Sequence, residues 1–135
     1  MRGYTLDTNI VTAYLKRHPL VRQRIRQAES AGHPVVLNAV SYYETKRGLL
    51  FADAQTQMRL FEQLWRSQGI IMLDQAALDR AAQMYAELRA AGQLLEDANL
   101  LMAAIALAND LTLVTHNTNH FSRLTTLLLE DWLIP

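Results

Sequence analysis

Carboxylates and amides able to ligate a hard cation recur in this chain where apolar segments give way to polar ones. Asp7, in Leu6-Asp7-Thr8-Asn9, closes a first apolar segment, and Glu44 follows Val35-Val36-Leu37 within Ser41-x-x-Glu44. Glu96-Asp97-Ala98-Asn99 opens a strongly apolar stretch, and Leu113-Val114-Thr115-His116-Asn117 runs from apolar into polar residues. Cysteine is absent and no histidine pair is well spaced for a metal, so the available donors are oxygens. Oxygen donors favour Mg²⁺ or Mn²⁺. Such an ion makes hydroxide accessible from bound water and stabilises charge on a phosphate, which points to hydrolytic phosphodiester cleavage.

Each residue also has a structural explanation. Asp7 suits a helix cap at a strand-to-helix turn. Ser41-x-x-Glu44 has the form of a capping box, with Glu44 at the third helical position. Glu96 and Asp97 complement a helix dipole. Taken one at a time, the structural roles are favoured. Their order changes the balance, because a doubly wound sheet places strand carboxyl ends and the following helix amino ends on one edge, where ligands collect. Asp7 follows the first expected strand, Glu44 the second and Asn117 the fourth, with the Glu96–Asn99 turn facing the same crevice.

The elements that must position them alternate along the chain. Tyr4–Leu6 reads as a strand, followed by a helix from Ile10 to Arg17 that Pro19 breaks, and a second helix over Leu20–Ala31. Val35–Leu37 is the second strand; helices from Ser41 to Leu50 and over Gln55–Ser67 follow, the latter with Met58, Phe61 and Trp65 on one face. Ile70–Leu73 is the third strand. Leu78, Ala81, Ala82, Tyr85 and Leu88 then mark an amphipathic helix stopped at Gly92. Asp97–Ala108 is apolar nearly throughout and reads as a helix buried on most sides, before a fourth strand at Leu111–Thr115 and an edge strand at Leu127–Leu129. The expectation is one α/β domain over residues 1–135, with a central parallel sheet of four or five strands flanked by helices.

Composition narrows the class. With 135 residues, 50% hydrophobic and 19% charged, the chain can bury a sizeable core and is not expected to be disordered. No apolar run approaches the roughly 18 residues of a membrane span, and the amino terminus lacks a signal-peptide layout. A cytoplasmic protein without disulfides is expected. The net charge of zero argues against a whole-surface nucleic-acid binder. Lys16, Arg17, Arg22, Arg24 and Arg26 form a basic cluster, better explained by a solvated helix face than by RNA contact. Tyr42, Tyr43, Lys46 and Arg47 flank Glu44 and could stack on bases or grip phosphates, or simply pack and face solvent. His116 and His120 are four apart, but a strand precedes them, so hydrogen-bonded or surface histidines are favoured over zinc ligands.

Together, Leu6-Asp7-Thr8-Asn9-Ile10, Ser41-x-x-Glu44, Glu96-Asp97-Ala98-Asn99-Leu100-Leu101-Met102-Ala103-Ala104 and Leu113-Val114-Thr115-His116-Asn117-Thr118-Asn119-His120-Phe121 resemble a PIN domain. More closely, they resemble toxins of the VapC type from bacterial toxin–antitoxin pairs. The closing Leu129-Glu130-Asp131-Trp132 is similar to the tail of that group. Each motif alone is weak; four in order along nearly the whole chain are specific. The resemblance implies a three-layer parallel-sheet domain and Mg²⁺- or Mn²⁺-dependent endoribonuclease activity on RNA. It also implies homodimerisation and a cognate VapB-type antitoxin.

Carried over residue by residue, the resemblance makes Asp7 the first acid and Glu44 the second, with Asn99 in the place of the third and Asn117 at the fourth. Asp7, Glu44 and position 99 would ligate the metal. Thr8 and Asn9 would shape the site and Thr115 would support it, as would Glu96 or Asp97. Asn99 departs from the family pattern, since an amide oxygen ligates a hard cation without bringing negative charge. Three accounts fit it: a neighbouring acid substitutes, the chain is weakly active, or a toxic enzyme has been disarmed deliberately. Glu96 lies three residues before Asn99 and shares its helical face, whereas Asp97 lies roughly 160° away at about 100° per residue. Asp97 could substitute only where the segment is irregular.

Two other classes compete. A catalytically silent PIN-like module could bind RNA or protein without cutting, and residue 99 is the discriminating feature. A phospho-receiver-like domain is disfavoured, because no lysine follows the last strand and Asp7 has no adjacent acid.

Overall fold

The computed structural model describes residues 2–135. It begins with β1 (Gly3–Leu6), α1 (Thr8–Leu15), α2 (Pro19–Ser30) and β2 (Val35–Asn38). Then come α3 (Ala39–Ala52), α4 (Gln55–Gln68), β3 (Ile70–Ile71) and α5 (Gln75–Ala90). The chain closes with α6 (Asp97–Ala108), β4 (Leu111–Val114), α7 (Thr118–Phe121) and β5 (Leu129–Glu130). The five strands form one sheet in the order β3-β2-β1-β4-β5, every neighbouring pair parallel. β1 pairs with β4 over its full length, from Gly3 with Leu111 to Leu6 with Val114.

Alternation along the strands sorts side chains onto two faces. Leu6, Val35, Leu37 and Val114 point into a core shared with α1, α2 and α4, where Ile10, Val21, Ile25 and Phe61 are buried. Leu111 and Leu113 point the other way, against Met84 and Leu88 of α5 and Ala103, Ala104 and Ile105 of α6. A helical layer therefore covers each face. The interior strand β4 is buried at all four positions, which explains why it is apolar apart from Thr112. The alanines of α6 let α5 approach closely, while fully burying Ile105 contributes about 1.5–3 kcal/mol.

Boundaries shift where local chemistry overrides the apolar pattern. Pro19 opens α2 at its first position, where its missing N–H costs nothing, so the helix runs Pro19–Ser30. α1 starts at Thr8, directly after its cap Asp7, and Arg17 beyond it takes a left-handed φ of 62°. The capping box of α3 also differs from expectation. Its cap is Asn38, whose side chain accepts from Ser41 N at 2.9 Å, while Asn38 N donates to Ser41 Oγ at 3.3 Å. Ser41 is thus the third helical residue, and Glu44 lies a turn deeper than the sequence suggests. Its carboxylate has no part in the cap.

Candidate active site

The carboxyl edge of the sheet holds a cavity of about 780 Å³. Asp7 reaches it from the end of β1, Glu44 from α3, Glu96 and Asn99 from the start of α6, and Asn117 from the segment after β4. Thr8 and Asn9 line it as well. Four stretches far apart in sequence meet there, and the adjacent strands β1 and β4 both lead into it.

Asp7 is 4% exposed and doubly held. Its Oδ1 accepts from Thr8 N at 2.6 Å and its Oδ2 from Thr115 Oγ1 at 2.7 Å. Thr115 is itself oriented, since its Oγ1 accepts from Asn117 N at 2.9 Å. Burial raises the pKa of Asp7 above the ordinary carboxylate value, the bonds from Thr115 and Thr8 oppose the rise, and the charge of Glu44 adds to it. Glu44 Oε1 accepts from Thr8 Oγ1 at 2.6 Å, and its Oε2 lies 3.8 Å from Arg47 Nη2. Thr8 therefore holds both carboxylates, one through its backbone and one through its hydroxyl. Two like charges kept together, one of them desolvated, make a place that gains from a cation.

The donor set at this edge is mostly oxygens: the carboxylates of Asp7, Glu44 and Glu96, with the amides of Asn99 and Asn117 on the same wall, and His120 beside them. Such donors suit a hard divalent ion. Among the described residues, however, no group of three or more acidic or histidine side chains is arranged to hold a metal. Asn99 brings an amide, and no charge, to this wall.

Glu96 and Asp97 separate. Glu96 is the cap residue of α6, makes no side-chain capping bond and lines the cavity with Asn99. Asp97 lies on another side of the helix, in a depression with Leu78, Tyr85 and Leu101. Asn9 Oδ1 accepts from His116 N at 3.3 Å and so ties the loop after β4 to α1. His116 pairs with Asp131 at 2.9 Å while His120 faces the cavity, and the two do not form a site together.

Around Glu44, Tyr42 packs on Phe61 and Trp65 and accepts from Lys46 Nζ at 3.0 Å. Only Arg47 of the four flanking residues lines the cavity. The basic cluster of α1 and α2 does not, and Arg22 stacks on Tyr14 at 4.5 Å. Sequence reasoning missed Thr12, Leu94, Leu95 and Arg123, all on the cavity wall. Arg123 follows α7, which ends at Phe121, so no helical spacing pointed to it.

A five-stranded parallel sheet of order 3-2-1-4-5, with paired carboxylates in a cavity at its carboxyl edge, defines an α/β domain built to act on ligands at that edge. The PIN domain profile matches residues 4–127, and the chain belongs to that family. It is 25% identical over 130 residues to Ribonuclease VapC2 of Rickettsia felis, covering 96% of this chain and 97% of that protein. It is 28% identical to the tRNA(fMet)-specific endonuclease VapC of Shigella flexneri, with 98% and 99% covered. Among solved structures it resembles VapBC2 from Rickettsia felis bound to a DNA fragment from their promoter, with a TM-score of 0.84 and 26% identity. That match covers 96% of this chain and 98% of the other.

Proposed function

We propose that this chain is a metal-dependent endoribonuclease that hydrolyses RNA phosphodiester bonds and serves as the toxin of a toxin–antitoxin pair. The observation that carries the reading is the Asp7–Thr8–Glu44 arrangement, which holds two carboxylates together on one cavity. Membership of the PIN family and likeness to two proteins named as ribonucleases of the VapC kind support it. Asp7 and Glu44 would hold Mg²⁺ or Mn²⁺, with Asn99 and Asn117 offering neutral oxygens. When bound, the ion supplies charge stabilisation for the phosphate and a lowered pKa for a coordinated water.

The chain's own groups do the rest. Thr8 and Thr115 fix the carboxylates, and Asn117 N fixes Thr115 in turn. Glu96 is the one further carboxylate on the wall, placed to accept a proton from water or to steady the site's charge. No nucleophilic side chain is required, because water attacks. Among the described residues no helix is long and apolar enough to cross a membrane. We place the activity in the cytoplasm, with neutralisation by a VapB-type antitoxin, in keeping with the likeness to VapBC2.

The second reading, a silent module that binds RNA or protein, is favoured by one observation: the site lacks a third acid at residue 99. Cleavage of a defined RNA pool with Mn²⁺, comparing the chain with Asn99→Asp, separates the two. Cleavage by the chain, increased in the variant, supports the enzyme. No cleavage by either, with the fold intact, overturns it.

A further inference from the structure

Arg123 falls between the motifs that carry the family resemblance and belongs to none of them, yet it lines the cavity. Its Nη1 donates to the carbonyl oxygens of Leu94 at 2.7 Å and Gln93 at 3.4 Å. Both acceptors are neutral, so the guanidinium is fixed without its charge being cancelled. Ion pairs among the described residues involve Arg2, Arg47, Arg66 and His116, and leave Arg123 out. Arg47, the other arginine on the wall, is committed elsewhere: it faces Glu44 at 3.8 Å and sits over the Tyr43 ring at 5.0 Å.

A positioned and uncancelled guanidinium is an anion receptor. Its planar fork leaves Nε and Nη2 for the oxygens of one phosphate. Resting on the ribonuclease reading, we propose that Arg123 seats a backbone phosphate of the RNA strand next to the one that is cleaved. It is then a binding and positioning residue, apart from the carboxylates that face the reaction. The anchor to Leu94 has a second consequence. The Leu94 side chain lines the same cavity and is 45% exposed, so a strand seated on Arg123 meets apolar surface suited to a ribose or base.

The competing role is purely structural, with Arg123 stapling the loop before α6 to the segment after α7. Two variants separate the roles. Arg123→Gln keeps a donor for Leu94 O and loses the charge; Arg123→Lys keeps the charge. Binding of a fluorescein-labelled single-stranded RNA of about ten nucleotides, followed by anisotropy in EDTA across a salt series, reads the difference without cleavage. The Gln variant should bind about three- to tenfold more weakly. Its plot of log affinity against log salt should be shallower by about 0.7, the contribution of one single-strand phosphate contact. The Lys variant should keep most of the slope. An unchanged slope in Arg123→Gln, an equal loss in Arg123→Lys, or no salt-dependent binding by the unmodified chain overturns the proposal. Cleavage by the unmodified chain with Mn²⁺ is scored separately, and its absence overturns the ribonuclease reading rather than the phosphate contact.

Discussion

Placing a carboxylate at position 99 should tighten Mn²⁺ binding and, in the same protein, weaken the metal-free fold. Asn99 shares the cavity wall with Asp7 and Glu44, so a charge placed there would act on the ion we propose both residues hold. At about 4 Å and an effective dielectric near 20, a unit charge attracts a divalent ion by roughly 8 kcal/mol. Dehydrating the new carboxylate removes several kcal/mol of that gain, leaving about 2 kcal/mol or roughly thirtyfold in affinity. Without metal, the same charge meets the carboxylates of Asp7, Glu44 and Glu96 on that wall, and a like charge at a separation of about 5.5 Å would repel it by about 3 kcal/mol. Proton uptake relieves part of this, at the cost of stability near neutral pH. Calorimetric titration with Mn²⁺ should show tighter binding by Asn99→Asp. Thermal unfolding should show a lower Tm in EDTA and a larger rise on adding Mn²⁺. An affinity within about threefold of the parent chain, with an unchanged Tm in EDTA, would refute the reasoning by showing that residue 99 does not feel the ion.

Asp7 sets a pH dependence whose sign follows from its raised pKa. A carboxyl that is harder to ionise when folded contributes stability that is whole below its unfolded value and is lost as pH rises through the folded value. In EDTA, Asp7→Asn should therefore gain Tm over the parent chain from about pH 4 upward, and parallel Tm–pH curves would exclude this. Thr115→Val removes the donor to Asp7 Oδ2 and the acceptor for Asn117 N, both at a fully buried position. Urea denaturation should report a loss of about 1–3 kcal/mol, and a value near zero would mean that water replaces the hydroxyl. We also expect the isolated chain to dimerise, so a strictly monomeric mass by light scattering at high concentration would count against that assembly.

The fold was legible because its sheet is buried on both faces and its helices carry clear apolar stripes. Leu111–Val114 and Val35–Leu37 could be placed from composition alone. The ends were harder, for reasons of pairing rather than propensity. β3 stops at Ile71, not Leu73, because its partner β2 ends at Asn38, which pairs with Ile71. Beyond that residue no neighbouring backbone remains to accept a ladder. β5 begins only at Leu129, since Leu127 N is already bonded to Leu124 O in the preceding turn. Sequence pattern registers the apolar run but not the moment at which a partner strand turns away.

The same distinction governs the site. Asp7, Glu44, Asn99 and Asn117 could be grouped from sequence because each follows or opens an element on one edge of the sheet. What spacing could not supply was which polar atom each residue would spend on local structure. Ser41-x-x-Glu44 matched a capping box, in which the glutamate would have been bonded to the helix start. Asn38, at the buried end of β2, takes that role instead, and its Nδ2 also donates to Leu6 O at 3.1 Å. One asparagine thus starts α3 and ties β2 to β1. That substitution frees Glu44 to meet Thr8 Oγ1, and it moves the carboxylate one helical turn along α3 to where the cavity lies. In this chain the cap and the acid are divided between two residues, so a carboxylate faces the reaction edge without unsatisfying the helix that carries it.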